Sequence, residues 1–346
     1  MNVTRGLEDG ESLGPFGRRR PHGTKGPVYA ALDLGTNNCR LLVARRAGSN
    51  FRVIDAFSRI VRLGEGLGQD GRLSDAAIER TIEALKVCAA KMQHRGVTHA
   101  RGVATEACRR AVNGPSFLAR VAAETGIEVE VISPAEEARL AVTGCLPLLD
   151  PELRHALLFD IGGGSTELIW LEMAGAGEVL MLGSLSLPFG VVGLAERYGG
   201  RHVGGEAYGA MVEEVARRLE PFDTAHGISG ALGRGEVQML GTSGTVTTIA
   251  GVHLKLPRYD RAAVDGTYLS LAVTRTESER LRALSFEERA AHPCIGPERA
   301  DLVIAGLAIL DAICRRWPVA RLRVADRGLR EGILVGLMRS SHAGRA

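Results

Sequence analysis

The first apolar run of the chain, Val28 to Leu32, stops at Asp33 and gives way to a Gly-Thr-Asn-Asn turn, after which Arg40 to Arg46 forms a returning strand. An apolar run interrupted by a glycine-bearing polar turn predicts a hairpin. Residues 51–63 continue as β-type segments, and then the period changes. From Ser74 the apolar positions Ile78, Ile82, Leu85, Ala89 and Met92 keep helical spacing as far as Gly96, which predicts one long helix with an N-cap and a glycine stop. A strand at about 100–104 leads to Thr105, two short helices follow, and a strand from Ile127 to Ile132 precedes a helix opened by Ser133. Ser133-Pro134-Ala135-Glu136 reads as a capping box with proline at the first helical position. That gives Glu136 a structural task and leaves Glu137 in the first turn without a local partner.

The pattern then restarts. After a Pro/Asp-containing connection at 147–151, a strand from Ala156 to Phe159 ends at Asp160, a Gly-Gly-Gly-Ser-Thr turn follows, and Glu167 to Leu171 returns. The two turns lie one domain length apart, which predicts a duplication rather than a solenoid. The second half closes with a strand at 319–325 and a helix at 328–338. Two similar α/β domains facing each other across a cleft is the arrangement expected.

Composition narrows the setting. The chain has 346 residues, 45% hydrophobic and 24% charged, enough for two ordinary cores. No window approaches the ~20 apolar residues of a membrane helix and no apolar stretch follows the N-terminal arginines, so no membrane association and a cytoplasmic location are expected. The net charge of +3 comes mostly from the two ends, so the body carries no basic surplus and nucleic acid is not an expected partner. Residues 1–26, with Arg18, Arg19 and Arg20, read as a solvated, disordered leader. Cys39, Cys88, Cys108, Cys145, Cys294 and Cys314 are scattered without metal-ligand spacing and read as free core thiols.

A strand ending in Asp before a glycine-rich turn presents successive backbone N–H groups with no Cβ in the way, as phosphate oxygens require. Gly35, Thr36 and Asn37 in the first copy, and Gly162, Gly163, Gly164, Ser165 and Thr166 in the second, are therefore candidate phosphate-binding residues. One such turn is how many hairpins are made; two at matched positions point to a gripped anion. A third glycine-rich element, Gly241 to Thr245, opens a helix and places Ser243 and Gly244 at an anion-attracting N-terminus, although capping by Thr242 or Ser243 explains the residue types as well.

The strings DLGTNNCRLL, VRLGEGL, ATEACRRAVN, VISPAEEARL, DIGGGSTEL, GTSGT and DRGLREG, in this order, closely resemble the exopolyphosphatase and guanosine pentaphosphate phosphatase (Ppx/GppA) family, over about residues 28–335. The resemblance implies two duplicated actin-like domains of the RNase H-like, sugar kinase/Hsp70/actin superfamily, here 27–140 and 141–338 with a tail at 339–346, in a short form without the HD-like C-terminal domain of longer members. It implies that Glu137 activates the attacking water, that Arg109 contacts the phosphate chain, and that Asp33, Asp160 and Glu167 surround Mg²⁺ or Mn²⁺. Asn38 departs from the usual Ser or Thr. On local sequence alone Glu137 would read as a surface glutamate favoured by the helix dipole. The implied activity is release of terminal orthophosphate from polyphosphate, with pppGpp 5′-hydrolysis as the alternative and a homodimer as the expected assembly. A kinase of the superfamily would need an acceptor-activating aspartate in the first domain, where none stands out. A non-catalytic phosphate sensor would have no use for Glu137 and the carboxylate set.

Overall fold

The computed structural model describes residues 26–48, 50–175 and 178–343; apart from Gly26, the expected leader lies outside the described residues. The first half builds a five-stranded sheet from β1 (Val28–Leu34), β2 (Asn38–Ala47), β3 (Asn50–Ile60), β4 (His99–Ala104) and β5 (Val129–Val131), in the order β3-β2-β1-β4-β5. The second half builds a six-stranded sheet from β6 (His155–Ile161), β7 (Thr166–Gly175), β8 (Glu178–Leu187), β9 (Val237–Thr242), β10 (Tyr268–Ser270) and β11 (Arg321–Ala325), in the order β10-β11-β9-β6-β7-β8.

The duplication extends to register. β1 pairs antiparallel with β2 and parallel with β4, as β6 does with β7 and β9. Asp33 stands opposite Arg40 in the first hairpin, and Asp160 opposite Glu167 in the second. The N–H of Gly35 donates to the carbonyl of Asn38 at 2.9 Å, and that of Gly162 to Ser165 at 3.0 Å, so both turns close in the same way.

β1 is covered on both faces, which is why it reads as a continuous apolar run. Val28, Ala30, Leu32 and Leu34 pack towards Ile78, Ile82 and Leu85 of the helix Asp75–Arg95. That helix starts as expected, with Ser74 accepting from the Ala77 N–H, and ends at Gly96 in the left-handed region. Tyr29 and Ala31 face Ile333, Leu334 and Met338 of the terminal helix Leu329–Ala343.

Two features differ from the linear reading. The terminal helix runs to Ala343 rather than 338, and it packs on β1 and β2, so the chain returns to the first sheet instead of finishing in the second half. The physical reason is the apolar outer face of β1 and β2, which no earlier helix of the first half covers alone. The helix Pro134–Cys145 is shared too: Ala138, Ala141 and Cys145 pack against β6 and β7, while Leu140 joins the first-sheet cluster. The two helices cross at glycine. A methyl group on Gly332 would stand 2.8 Å from the Leu140 carbonyl carbon, closer than real Cβ contacts come, so only glycine allows the crossing.

Candidate active site

Where the two hairpin turns meet, Gly163 and Gly164 of the second half lie against Thr36 and Asn37 of the first. This contact forms one wall of a cavity of about 90 Å³. Into it face Asp33 from the end of β1, Asp160 from the end of β6, Glu167 from β7 and Glu137 from the first turn of its helix. The N–H groups of Gly35 and Gly162 are spent closing their turns. Those of the residues after them, in a backbone with no strand partner, are the donors left to the cavity. Thr36 Oγ1 and Asn37 Oδ1 are buried there with no hydrogen-bond partner. Buried polar atoms without partners are rare enough to mark a place where a ligand completes the bonding.

The charges are arranged around the same space. Burial pushes the Asp160 carboxyl up to about 6, against the pull of Arg40 and with help from Asp33. Asp33 is raised for the same first reason, with Arg40 and Arg330 opposing. Glu167 is raised well above the carboxylate range by burial and then by Glu137 and Asp160, although it accepts a bond from Ser186 at 2.9 Å. Glu137 is pushed up to about 7, chiefly by burial, while Arg109 pulls it down. Four carboxyls that resist ionisation together call for a cationic ligand or a cationic partner. Arg40 and Arg330 line this cavity, and Arg40 with Arg299 lines an apolar cavity of about 70 Å³ next to it, walled by Ile161, Val191, Ile249 and Leu302. Burial, and then the neighbouring Arg40, disfavour the charge of Arg299, whose Nε donates to the Ile295 carbonyl and to no carboxylate. Half-buried arginines that face one another without a carboxylate between them are suited to receive an anion.

At the third glycine-rich element the capping reading fails. Thr242 donates its hydroxyl to the Arg327 carbonyl at 2.7 Å, and Ser243 makes no side-chain cap to the helix Gly244–His253; its hydroxyl is close enough to Asp160 to favour that carboxylate. Ser243 also adopts φ of +79°, unusual for a residue with a Cβ. The helix N-terminus is thereby left open towards the two cavities.

A sequence model of the Ppx/GppA phosphatase family matches residues 42–341. The chain belongs to the Ppx/GppA phosphatase family. The Ppx/GppA family member from Aquifex aeolicus is 29% identical, with 91% of this chain and 98% of that chain covered at a TM-score of 0.74. An exopolyphosphatase-like protein is 26% identical over 91% of this chain and 99% of its own, at a TM-score of 0.83. An exopolyphosphatase from Cytophaga hutchinsonii ATCC 33406, at 24% identity, 90% and 98% coverage and a TM-score of 0.81, shares the fold. The two mixed sheets with flanking helices are thus the duplicated actin-like architecture of Ppx/GppA proteins.

In this Ppx/GppA chain the structure brings most of the expected residues to one cavity: Asp33, Gly35, Thr36 and Asn37, Glu137, Asp160 with Gly162 to Ser165, Glu167 and Ser243. Three stand apart. Thr166 is fully buried and donates to the Phe189 carbonyl at 3.1 Å, because β7 begins there and turns its side chain inward. Gly244 faces the adjoining apolar cavity. Arg109 stands behind Glu137, donating Nη1 to Glu137 Oε2 at 2.9 Å and to the Ile132 carbonyl at 2.8 Å. Glu136 caps with its backbone, whose N–H reaches Ser133 at 3.2 Å, but its side chain holds Arg101 and Arg139 instead of completing the capping box. Arg40, Arg299 and Arg330 were not singled out in the sequence. Arg40 had a signal, since the repeat sets it opposite Asp33 as Glu167 is set opposite Asp160. Arg299 had none. Near the first turn, burial pushes the Cys108 thiol up to about 12, so it packs as a core residue rather than a reactive one.

Proposed function

We propose that the chain is an exopolyphosphatase, releasing terminal orthophosphate from inorganic polyphosphate by direct attack of water. The observation that carries this is the position of Glu137. One of its oxygens is held by Arg109 at 2.9 Å, and its carboxyl group faces the cavity between the two glycine turns. A carboxyl held up to about 7 is suited to act as a general base towards a phosphate bound in that cavity.

In this reading the terminal phosphate lies between the two turns, held by their open N–H groups and by the hydroxyls of Thr36 and Ser165. Arg40 and Arg330 neutralise its oxygens and those of the next phosphate. Glu137 takes a proton from water as the water oxygen bonds to the terminal phosphorus and the bridging P–O bond breaks. The electron pair of that bond leaves with the shortened chain, on the side lined by Arg40 and Arg299. Asp33, Asp160 and Glu167 are hard oxygen donors suited to Mg²⁺ or Mn²⁺. Among the described residues no three acidic, His or Cys side chains come together as a preformed metal site. Asp33, Asp160 and Glu167 would instead lend one or two carboxylates to an open site of the kind Mg²⁺ occupies. A bound ion there would offset the charge that builds on the phosphoryl oxygens.

A second reading, 5′-phosphate release from pppGpp, is favoured by the apolar cavity beside Arg40 and Arg299, whose aliphatic wall suits a nucleoside better than a bare phosphate chain. Incubating the protein with Mg²⁺ and either substrate, with and without chelator, tests both: orthophosphate from neither substrate refutes the hydrolase reading, and the ratio of the two kcat/KM values selects between them. The homodimer is part of the same proposal, and the molar mass in solution tests it.

A further inference from the structure

Glu106 opens the five-residue helix Glu106–Arg110 and is buried, with 8% of its surface exposed. An acidic residue in a first turn followed three positions later by arginine is usually a solvated pair of little consequence. Here the pair is not solvated. Glu106 Oε2 accepts from both Nε and Nη2 of Arg109, at 3.2 and 3.0 Å, while Arg109 Nη1 is taken by the Ile132 carbonyl and by Glu137. Every nitrogen of the guanidinium is thus committed, and its plane is fixed from both sides. The Glu106 side chain also runs beside the second glycine turn, its Cγ 3.1 Å from where a Gly164 Cβ would be. The other cation facing it, Arg110, is 3.9 Å from Oε1 and exposed, so it does not draw the carboxylate away.

We propose that Glu106 is a positioning residue: through Arg109 it fixes one oxygen of Glu137 and so aims the other at the attacking water. The inference rests on Glu137 as the base, and it deepens that reading by naming what orients the base. Without Glu106 the Arg109 fork keeps its hold on Glu137 but loses the constraint on its own rotation. The carboxylate then samples orientations in which neither oxygen meets the water, at a cost in turnover and little in substrate binding.

The test is steady-state kinetics on polyphosphate with Mg²⁺, on full-length chains whose folding is checked by circular dichroism. Glu106→Ala is expected to lower kcat about 10- to 100-fold with KM within about threefold. Glu106→Gln, which keeps the size and one acceptor oxygen, is expected to recover most of that loss, and it serves as the reporter if the alanine variant is unstable. In an Arg109→Lys background, which keeps the charge and loses the fork, Glu106→Ala is expected to cost less than about threefold, because both changes break one device. A kcat within twofold of the parent for both Glu106 variants overturns the proposal, as does a loss that multiplies in full in the Arg109→Lys background. Glu137→Gln is run alongside. If it retains turnover, the base reading fails; if it is inactive while Glu106→Ala turns over like the parent, only the Glu106 inference fails.

Discussion

Gly164→Ala tests whether the two halves must meet turn against turn. The added methyl would stand 3.0 Å from Thr36 Cβ and 3.1 Å from Glu106 Cγ, and closer still to the Thr36 hydroxyl. Rotating the Thr36 side chain moves the hydroxyl but leaves its Cβ in place, so relief requires the turns to separate by a few tenths of an ångström to about 1 Å. The clash sits at the cleft and not in either core, so each domain keeps its packing and the melting temperature is expected to fall by no more than about 4 °C. Catalysis is more exposed, because a misplacement of about 1 Å between phosphate and base costs on the order of 100-fold, or about 2.7 kcal/mol of barrier. The assay is orthophosphate release from polyphosphate, with Gly193→Ala as the control, since a methyl there meets nothing within 4 Å. A Gly164→Ala enzyme with parental kcat/KM would refute the claim that the turns grip the phosphate jointly.

Four more predictions follow from charge and closure. As the proposed base Glu137 would work ionised, and burial holds it up to about 7, so kcat is expected to rise through neutral pH with an inflection near that value; a flat profile from pH 5.5 to 8.5 would contradict it. Asp160, raised to about 6 by burial, favours the folded state only while protonated, and that contribution is lost as pH rises through about 6. Denaturant unfolding of the metal-free protein should therefore show Asp160→Asn gaining about 2 kcal/mol relative to the parent between pH 4.5 and 7.5, whereas a gap independent of pH would be evidence against a buried, strained carboxylate. Arg62 of the first half, at φ +48°, reaches Asp301 of the second with two bonds of 2.9 and 3.0 Å. Its replacement by alanine should ease the cleft open and raise KM about 3- to 10-fold, and an unchanged KM would show that closure does not depend on it. Gly332→Ala should lower the melting temperature by several degrees through the blocked helix crossing, without a comparable effect on kcat per folded molecule.

How much the chain discloses by itself depends on the range of the interaction. The hairpins, the helix from Ser74 to Gly96 and the repeat were legible because each rests on local period, caps and turn residues. The carboxylates at the ends of β1 and β6 and the glycine turns beside them were legible for the same reason, doubled by the repeat. The return of the terminal helix to the first sheet was not, since nothing in residues 329–343 says which apolar face will receive them. The true surroundings of Arg109 also escaped, because Glu106 and Ile132 fix its guanidinium in space and no spacing rule connects them to Glu137. Arg299 sits in a segment of ordinary composition, and only the fold brings it beside Arg40. Local sequence disclosed the paired turns; tertiary packing decided which arginines line the cavity between them and what stands behind Glu137.

The central claim is that Glu137 turns a phosphate grip into hydrolysis. Glu137→Gln keeps the shape of the side chain and one acceptor for Arg109 while removing the basic oxygen, so the variant should bind polyphosphate with near-parental affinity and release orthophosphate at least about 1,000-fold more slowly. Turnover within tenfold of the parent, with binding intact, would contradict it.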